Sequence, residues 1–337
     1  MKILVGMLQR GHVDRYRKEI EVAIRSTALR DAEFAYDLGD RDDVWGKEIE
    51  QCEALLILSS RGFSGGALAS ARRLSFVQKI GTPEGIDVEA CRKRGIAVAS
   101  VPDANHIAVA EHTLMFMLCM ARHAWTGHAA VVRGDDPLHL KPIRTTQSKR
   151  RSNWLDIPRD FFCLLSGRTL GLIGFGDIAQ EVARRARCFG MKIVYTKRTR
   201  LPPEIENRFG VAYMDMPALL GAADFVSLHA TQQEGDPPII GRKELESMRS
   251  SSIFINTARG SQVDQAALVD VLRSGRIGGA CLDVYEIEPV PPGAFDGLTN
   301  VMFSPHTAGV TPWGQRFEGA LGNIEAFVNK GKVAGLL

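Results

Sequence analysis

Residues 168–198 read RTLGLIGFGDIAQEVARRARCFGMKIVYTKR, and this stretch decides the fold. A short apolar run enters a glycine-rich turn, the turn opens a segment with helical periodicity, and a second apolar run follows. The apolar face of the helical segment is formed by Ile178, Val182, Ala186 and Phe189. This order of strand, turn, helix and strand predicts the start of a doubly wound α/β sheet.

The glycine turn contains Gly174 and Gly176, with Ala179 in the third position. The first glycine permits a tight turn, the second lets the backbone approach a pyrophosphate, and the small third residue lets helix and strand pack closely. The helix N-terminus would present free N–H groups to the phosphates. We predict a dinucleotide site here; a tight turn that binds nothing is the alternative. The residues assigned to the site are Gly174, Phe175, Gly176, Asp177 and Ile178.

A basic stretch follows the second strand of this unit. In dinucleotide-binding folds an Asp or Glu roughly twenty residues after the turn bonds the adenine ribose and selects NAD. Here Thr196 stands in that place, and Lys197, Arg198 and Arg200 follow. A carboxylate would repel a 2′-phosphate, whereas a hydroxyl with cationic neighbours would bind it. The stretch predicts NADP(H) in preference to NAD(H); a solvated basic loop with relaxed specificity would leave NAD(H) possible.

The rest of the chain also alternates strands and helices. Candidate strands are KILVGML, ALLILSS, FVQKIG and IAVASV before the turn, and FVSLHA, SIFINTA, GGACLDV and NVMFSPH after it. A long apolar helix is predicted from Asn105 to about Ala124. Residues 125–160 show no clear period and are predicted to be an irregular arm. The pattern predicts an α/β protein with two doubly wound domains.

Composition excludes several classes of protein. The chain has 337 residues, 45% of them hydrophobic and 24% charged, which suits about two globular domains. A net charge of +3 gives no strong attraction to nucleic acid or to a membrane. The six cysteines form no CxxC pair or Cys/His metal spacing, so no metal site is predicted. With no signal-peptide or membrane-spanning pattern, we expect a cytoplasmic protein.

Three stretches carry a family resemblance: VAEHTLMFMLCMAR (109–122), SIFINTARGSQVDQAALVDVLRSGRIGGACLDVYEIEP (252–289) and NVMFSPHTAG (300–309). They resemble the D-isomer-specific 2-hydroxyacid dehydrogenases, of the glyoxylate/hydroxypyruvate reductase type. The resemblance implies two Rossmann-like domains with the active site in the cleft between them, and a homodimer. The implied bounds are 1–104 with 307–337 for a discontinuous, flavodoxin-like substrate domain, and 105–306, with the arm 124–165, for the NAD(P)-binding domain.

The same resemblance implies a catalytic set. Arg259 would bind the substrate carboxylate, and Glu288 and His306 would form the acid–base pair. Hydride transfer to a ketone carbon builds negative charge on the oxygen, and a nearby imidazole can deliver the proton near neutral pH. Taken singly, the arginine could belong to a surface salt bridge and the histidine to a strand-end turn.

Other roles are implied by analogy with the family. Asp283 would hold the nicotinamide carboxamide, and Thr257 and Ala258 would lie beside its ribose. His229 would line the adenine side, unless it is an ordinary histidine of a strand-end turn. Asn105 would touch substrate, unless it only caps the long helix.

The predicted substrate loop, KIGTPEGID, departs from the family pattern. Pro83 and Glu84 intrude, and Pro83 lacks a backbone N–H. The remaining candidate donors to a substrate carboxylate are Gly81 and Thr82.

The leading hypothesis is an NAD(P)H-dependent reductase of a 2-keto acid such as glyoxylate, hydroxypyruvate or a sugar acid, with the small-molecule acid as its partner. A non-catalytic, corepressor-like dinucleotide sensor and a formate- or phosphite-type dehydrogenase remain as alternatives.

Overall fold

The computed structural model divides the chain into two compact units, which are Met1–Asn105 with Val310–Leu337, and His106–Gly309. The described residues are 1–6, 18, 21–22, 28–37, 45–57, 62–81, 83, 85–159, 162–233 and 235–337.

Twelve strands are described: β1 Lys2–Gly6, β2 Glu33–Asp37, β3 Ala54–Ile57, β4 Phe76–Ile80, β5 Ala97–Val101, β6 Thr169–Ile173, β7 Lys192–Thr196, β8 Val211–Tyr213, β9 Phe225–Leu228, β10 Ile253–Asn256, β11 Gly279–Leu282 and β12 Val301–Phe303. The described α-helices are Gly65–Ser70, Val88–Lys93, Asn105–Arg122, Ala124–Arg133, Asp177–Cys188, Pro203–Phe209, Met216–Ala222, Arg242–Ser247, Gln265–Arg273 and Trp313–Val328. Short 3-10 turns cover Ala28–Asp31, Lys47–Glu50 and Gly260–Gln262.

The first unit is built on a five-stranded parallel sheet in the order β2-β1-β3-β4-β5. Successive strand residues pack on opposite faces, as Ile3 and Leu4 of β1 do. The helix Trp313–Val328 covers one face, where Phe317 and Ile324 are fully buried. Residues 310–337 therefore complete the unit that residues 1–105 begin.

The second unit is built on a seven-stranded parallel sheet in the order β12-β11-β10-β9-β6-β7-β8. The strand order reverses between β6 and β9, the topological switch point at which this kind of sheet binds ligands. The helices Asn105–Arg122 and Asp177–Cys188 contribute to the core on one face. The predicted α/β class with doubly wound parallel sheets is confirmed.

The arm is less irregular than the sequence predicts. Residues 125–160 were expected to lack regular structure, but Ala124–Arg133 forms a helix. None of its residues is fully buried, although Trp125 packs partly against the core of the second unit. No helix in the described part of the chain is both long enough and apolar enough to cross a bilayer.

Candidate active site

The glycine turn between β6 and the helix Asp177–Cys188 has the geometry of a phosphate cradle. Gly174 has φ of +91°, and a Cβ there would lie 2.6 Å from the His229 carbonyl oxygen, so only glycine fits. At Gly176, by contrast, an added Cβ would meet no atom within 4 Å. Ala179 is fully buried against the sheet. These residues fit a pyrophosphate lying on the exposed backbone at the helix N-terminus.

The other residues of the turn divide between core and surface. Phe175 is buried and packs on Tyr195, with the ring centroids 5.0 Å apart. Asp177 is exposed and Ile178 is half-buried in the first turn of the helix. The side chain of Phe175 therefore supports the turn from the core, while its backbone remains part of the cradle.

The basic stretch begins where β7 ends. Thr196 is buried, and its carbonyl oxygen accepts a hydrogen bond from the Gly174 N–H at 2.9 Å, so strand and glycine turn are joined. Lys197 is half-buried and Arg198 is exposed, and neither makes a side-chain hydrogen bond or ion pair with the residues that the structure describes. Arg200 instead forms two 2.9 Å hydrogen bonds with the Glu206 carboxylate.

His229 follows β9 and lies against the glycine turn. Its backbone N–H donates to the Ile173 carbonyl oxygen at 2.7 Å, and its Nε2 lies 2.8 Å from the Ser227 hydroxyl. Burial lowers the pKa of His229 to about 4, so the ring is neutral near pH 7. The ring therefore has a hydrogen-bond partner within the protein without any ligand.

The loop after β10 is held by Asn256, a residue that the sequence analysis did not single out. The buried Asn256 side chain donates to the Arg259 carbonyl oxygen at 3.0 Å and accepts from the Ala258 N–H at 3.0 Å. Thr257 is buried, with its hydroxyl 3.4 Å from that of Thr113. Asn256 thus fixes the backbone from which the Arg259 side chain emerges.

Gly260 brings this loop against the segment that carries the acid–base pair. A Cβ at Gly260 would lie 1.9 Å from the carbonyl oxygen of Tyr285, so no side chain fits there. Arg259 is exposed, and its Nη1 donates to the Ala258 carbonyl oxygen at 2.7 Å. Among the described residues no carboxylate lies within ion-pair distance of Arg259, so its charge is available to an acidic ligand.

Glu288 and His306 are in direct contact. His306 Nδ1 lies 2.6 Å from Glu288 Oε2, and the other carboxylate oxygen accepts the Tyr285 N–H at 2.9 Å. Burial alone would raise the pKa of Glu288, but these two hydrogen bonds and the positive charges of His306 and Arg259 outweigh it and hold the pKa below its usual value. Because an ionised carboxylate only accepts, Nδ1 carries the hydrogen and Nε2 is the nitrogen left for chemistry.

Asp283 anchors the loop that carries His306. Its carboxylate is 1% exposed and accepts the Ser304 hydroxyl at 2.6 Å, the Thr307 N–H at 2.8 Å and the Ala308 N–H at 2.9 Å. The Asp283 carbonyl oxygen also accepts the His306 N–H at 2.8 Å. These bonds hold His306 at φ of +53°, a left-handed conformation that residues other than glycine rarely adopt.

His112 on the long helix extends this network. Its Nε2 lies 2.9 Å from the Ser304 hydroxyl, which donates its only hydrogen to Asp283. His112 must therefore donate from Nε2. Burial lowers the pKa of His112, and the negative charge of Asp283 opposes part of that shift. Neither Ser304 nor His112 could be assigned from sequence, because their contact spans 192 positions.

A cavity of about 590 Å³ opens beside the acid–base pair. It is lined by Tyr285, Glu288, Pro289, Val290, Phe303, Ser304, Pro305 and His306. Apart from the pair itself, most of these side chains are apolar. The pair therefore borders a space that is large enough for a small organic acid.

Two predicted substrate residues of the first unit, Gly81 and Asn105, make hydrogen bonds within the protein. The Gly81 N–H, expected to bind a substrate, already donates to the Val101 carbonyl oxygen at 2.9 Å. Asn105 was expected to touch substrate, or else only to cap the long helix; it is the first helical residue, and its own N–H donates to Asp103 Oδ1. Its side-chain oxygen accepts the Thr311 hydroxyl at 3.1 Å. Thr82 and Glu84 lie outside the described residues.

The sequence and the fold of this chain are similar to those of known proteins. A family model described as D-isomer specific 2-hydroxyacid dehydrogenase, NAD binding domain, matches residues 138–308. Glyoxylate reductase of Thermococcus litoralis is 36% identical over 79% of this chain and 76% of that protein. Hydroxypyruvate reductase of Thermotoga maritima is 34% identical over 80% and 82% of the two chains. A glyoxylate reductase of Paecilomyces thermophila, known from its crystal structure, is 27% identical, with a TM-score of 0.65 over 100% of this chain and 98% of that one.

Proposed function

The chain belongs to the family of D-isomer specific 2-hydroxyacid dehydrogenases, and from this membership we propose that it reduces a small 2-keto acid with NADPH, using His306 as the acid. Interconversion of a keto acid and a hydroxy acid with a nicotinamide dinucleotide follows from the family itself. The direction, the NADPH preference and the residue roles are our proposal. The 2.6 Å contact between His306 Nδ1 and Glu288 is the observation that carries it.

His306 delivers the proton in this mechanism. Glu288 accepts the Nδ1–H and orients the ring, so that Nε2 is the atom from which a proton passes to the ketone oxygen. The carboxylate also stabilises the positive charge that the ring carries before transfer. In the oxidative direction the same nitrogen removes the proton from the hydroxyl group.

Arg259 orients the substrate. Its guanidinium can bind the acid's carboxylate through two parallel hydrogen bonds, and its charge stabilises the negative charge that develops on the ketone oxygen. The absence of a partnering carboxylate among the described residues supports this role. The loop fixed by Asn256 and Gly260 keeps that guanidinium within electrostatic reach of Glu288.

The glycine turn would hold the dinucleotide. Gly174 and Gly176 leave the backbone open to the pyrophosphate, and the helix that begins at Asp177 supplies N–H donors. Thr257, Ala258 and Asp283 lie at the carboxyl ends of β10 and β11, where the nicotinamide half is expected. When bound, the nicotinamide supplies the hydride for reduction and accepts it for oxidation.

Lys197 and Arg198 would select NADPH. Both follow the end of β7 without a partner among the described residues, and Thr196 stands where an acidic residue would exclude a 2′-phosphate. NADH remains usable at lower affinity. The unit Met1–Asn105 with Val310–Leu337 is then the substrate-binding part, and His106–Gly309 is the nucleotide-binding part.

We also propose that the protein is a homodimer formed through its arm. The helix Ala124–Arg133 buries none of its residues, and Val131 and Val132 are 53% and 73% exposed. A subunit contact over this helix would bury both valines, which would favour association. Light scattering should give twice the chain mass, and Val131→Asp with Val132→Asp should lower it to one chain.

The substrate would be a small 2-keto acid of the glyoxylate or hydroxypyruvate kind. This follows the names of the relatives, which are reductases, so the comparisons do not favour a non-catalytic sensor. A panel of 2-keto acids, assayed with NADPH and NADH by loss of nicotinamide absorbance, tests the proposal. Turnover that is confined to NADH, or absent from the whole panel despite dinucleotide binding, would refute it.

A further inference from the structure

Glu206, a buried carboxylate, lies at the centre of a hydrogen-bond cluster next to the basic stretch. The residue is 8% exposed and sits on the short helix Pro203–Phe209. Its Oε1 accepts the Tyr195 hydroxyl at 2.7 Å and Arg200 Nε at 2.9 Å, and its Oε2 accepts Arg200 Nη2 at 2.9 Å. These bonds lower the pKa of Glu206 to about 2, so the carboxylate stays charged at any working pH.

Tyr195 connects this cluster to the glycine turn. The residue is fully buried, and its ring packs on Phe175 of the turn at 5.0 Å between centroids. Its hydroxyl also accepts the Leu201 N–H at 2.9 Å. One buried side chain thus contacts the residue between the two cradle glycines and the far end of the basic stretch.

The basic stretch is consequently fixed at both ends. Thr196 is held in the sheet, where its carbonyl oxygen also accepts the Gly174 N–H. Arg200 and Leu201 are held by Glu206 and Tyr195. Only residues 197–199 lie between the two anchors, which restricts the conformations open to Lys197 and Arg198.

Charge divides the three bases into two kinds. Glu206 neutralises Arg200, whereas Lys197 and Arg198 have no carboxylate partner among the residues described. The pair with Glu206 occupies Arg200 and leaves Lys197 and Arg198 as the bases of this stretch that have no carboxylate partner among the described residues.

We propose that Glu206, through Arg200 and Tyr195, is the positioning residue that sets the preference for a dinucleotide with a 2′-phosphate. Glu206 and Arg200 do not touch the cofactor. They hold the residues 197–199 in the one conformation in which Lys197 and Arg198 converge on the phosphate. This inference rests on the proposed NADPH preference and adds to it the residues that create it.

The test measures dissociation constants for NADPH and NADH by nucleotide fluorescence, and for 2′-phospho-AMP by calorimetry, on the full chain. The variants are Glu206→Gln, Arg200→Gln and the two together. Because the Arg200 side chain is 63% exposed, its replacement should leave the protein folded even if the Glu206 variant does not fold. Glu204→Gln, an exposed position on the same helix, is the matched charge control.

Each single variant should raise the dissociation constants for NADPH and 2′-phospho-AMP about fivefold. This is the effect expected if the loop conformation that binds the phosphate falls to about one-fifth of the population. The dissociation constant for NADH should change less than about twofold. The double variant should bind NADPH no more weakly than either single variant, since both substitutions remove the same contact. Glu204→Gln should match the wild type.

Three results would overturn the inference. Tighter NADPH binding in Glu206→Gln would mean that the freed Arg200 is itself a phosphate ligand. Equal losses for NADPH and NADH would mean that the cluster only supports the fold, and unchanged affinities would mean that it has no effect on binding. The proposed NADPH preference is tested separately with the variant Lys197→Ala, Arg198→Ala. If that preference does not depend on these two bases, this variant should bind NADPH with unchanged affinity.

Discussion

Replacing Asp283 by Asn tests whether this residue anchors the acid–base loop. The carboxylate accepts three hydrogen bonds, from Ser304, Thr307 and Ala308, and is almost completely buried. An amide has one acceptor oxygen, so its NH₂ group must face at least one of these donors. Leaving one buried donor unsatisfied costs about 1–3 kcal/mol of the free energy of unfolding.

The effect should reach catalysis through His306. This residue needs the loop bonds to stay at φ of +53°, a conformation that costs about 1–2 kcal/mol for residues other than glycine. Once the loop relaxes, a displacement of the ring by about 1 Å should lower kcat roughly a hundredfold. Urea unfolding and steady-state kinetics measure the two effects, with the exposed Asp296→Asn as the control.

A different result would identify a different role. If Asp283 only held the nicotinamide carboxamide, Asp283→Asn would raise the dissociation constant for the dinucleotide while stability and kcat stayed at wild-type values. That outcome would refute the anchoring argument.

Four further variants test other parts of the site. His306→Asn should lower kcat about a thousandfold while the NADPH dissociation constant, followed by fluorescence titration, stays unchanged; normal turnover would remove His306 from the mechanism. Arg259→Lys should raise KM for the 2-keto acid about tenfold, because a point charge replaces a bidentate contact; an unaltered KM would exclude carboxylate binding. Gly260→Ala should lower the melting temperature, since its Cβ meets the Tyr285 carbonyl, and an unshifted calorimetric transition would contradict that packing. The pKa of His229 is about 4 in the folded protein and 6.5 ordinarily, so the unfolded chain binds the proton first and the free energy of unfolding should fall as the pH is lowered from 6.5 to 4. His229→Gln should flatten this pH dependence in urea titrations, and an identical slope would show that another group titrates.

The fold could be predicted from periodicity because its central strands are buried on both faces. Short apolar-rich runs such as TLGLI in β6 and FVSL in β9 can be recognised as strands from the sequence alone. Two strands were not predicted: β2, an edge strand that is only partly buried, and β8, which has three residues. The helix Ala124–Arg133 was also not predicted; it is ten residues long, contains Gly127 and has no fully buried residue.

The candidate site was predictable to the extent that its residues occur in long motifs. Arg259, Glu288 and His306 could be named from the sequence, and the contact between the last two is present in the structure. The supporting residues could not be named. Glu206 binds Arg200, and Ser304 joins Asp283 to His112. These contacts depend on the path of the backbone in space, and no spacing in the sequence predicts them.

The first unit is completed by residues that follow the whole of the second unit in the sequence. Phe317, Leu321 and Ile324 fill one face of its sheet, and the Leu337 N–H donates to the carbonyl oxygen of Val98 in β5. On the ribosome, residues 1–105 therefore emerge while one face of their sheet still lacks the helix Trp313–Val328, whereas residues 106–309 emerge as one uninterrupted stretch. We expect any chaperone that binds during synthesis to favour the strands of the first unit, whose apolar face stays uncovered for longer.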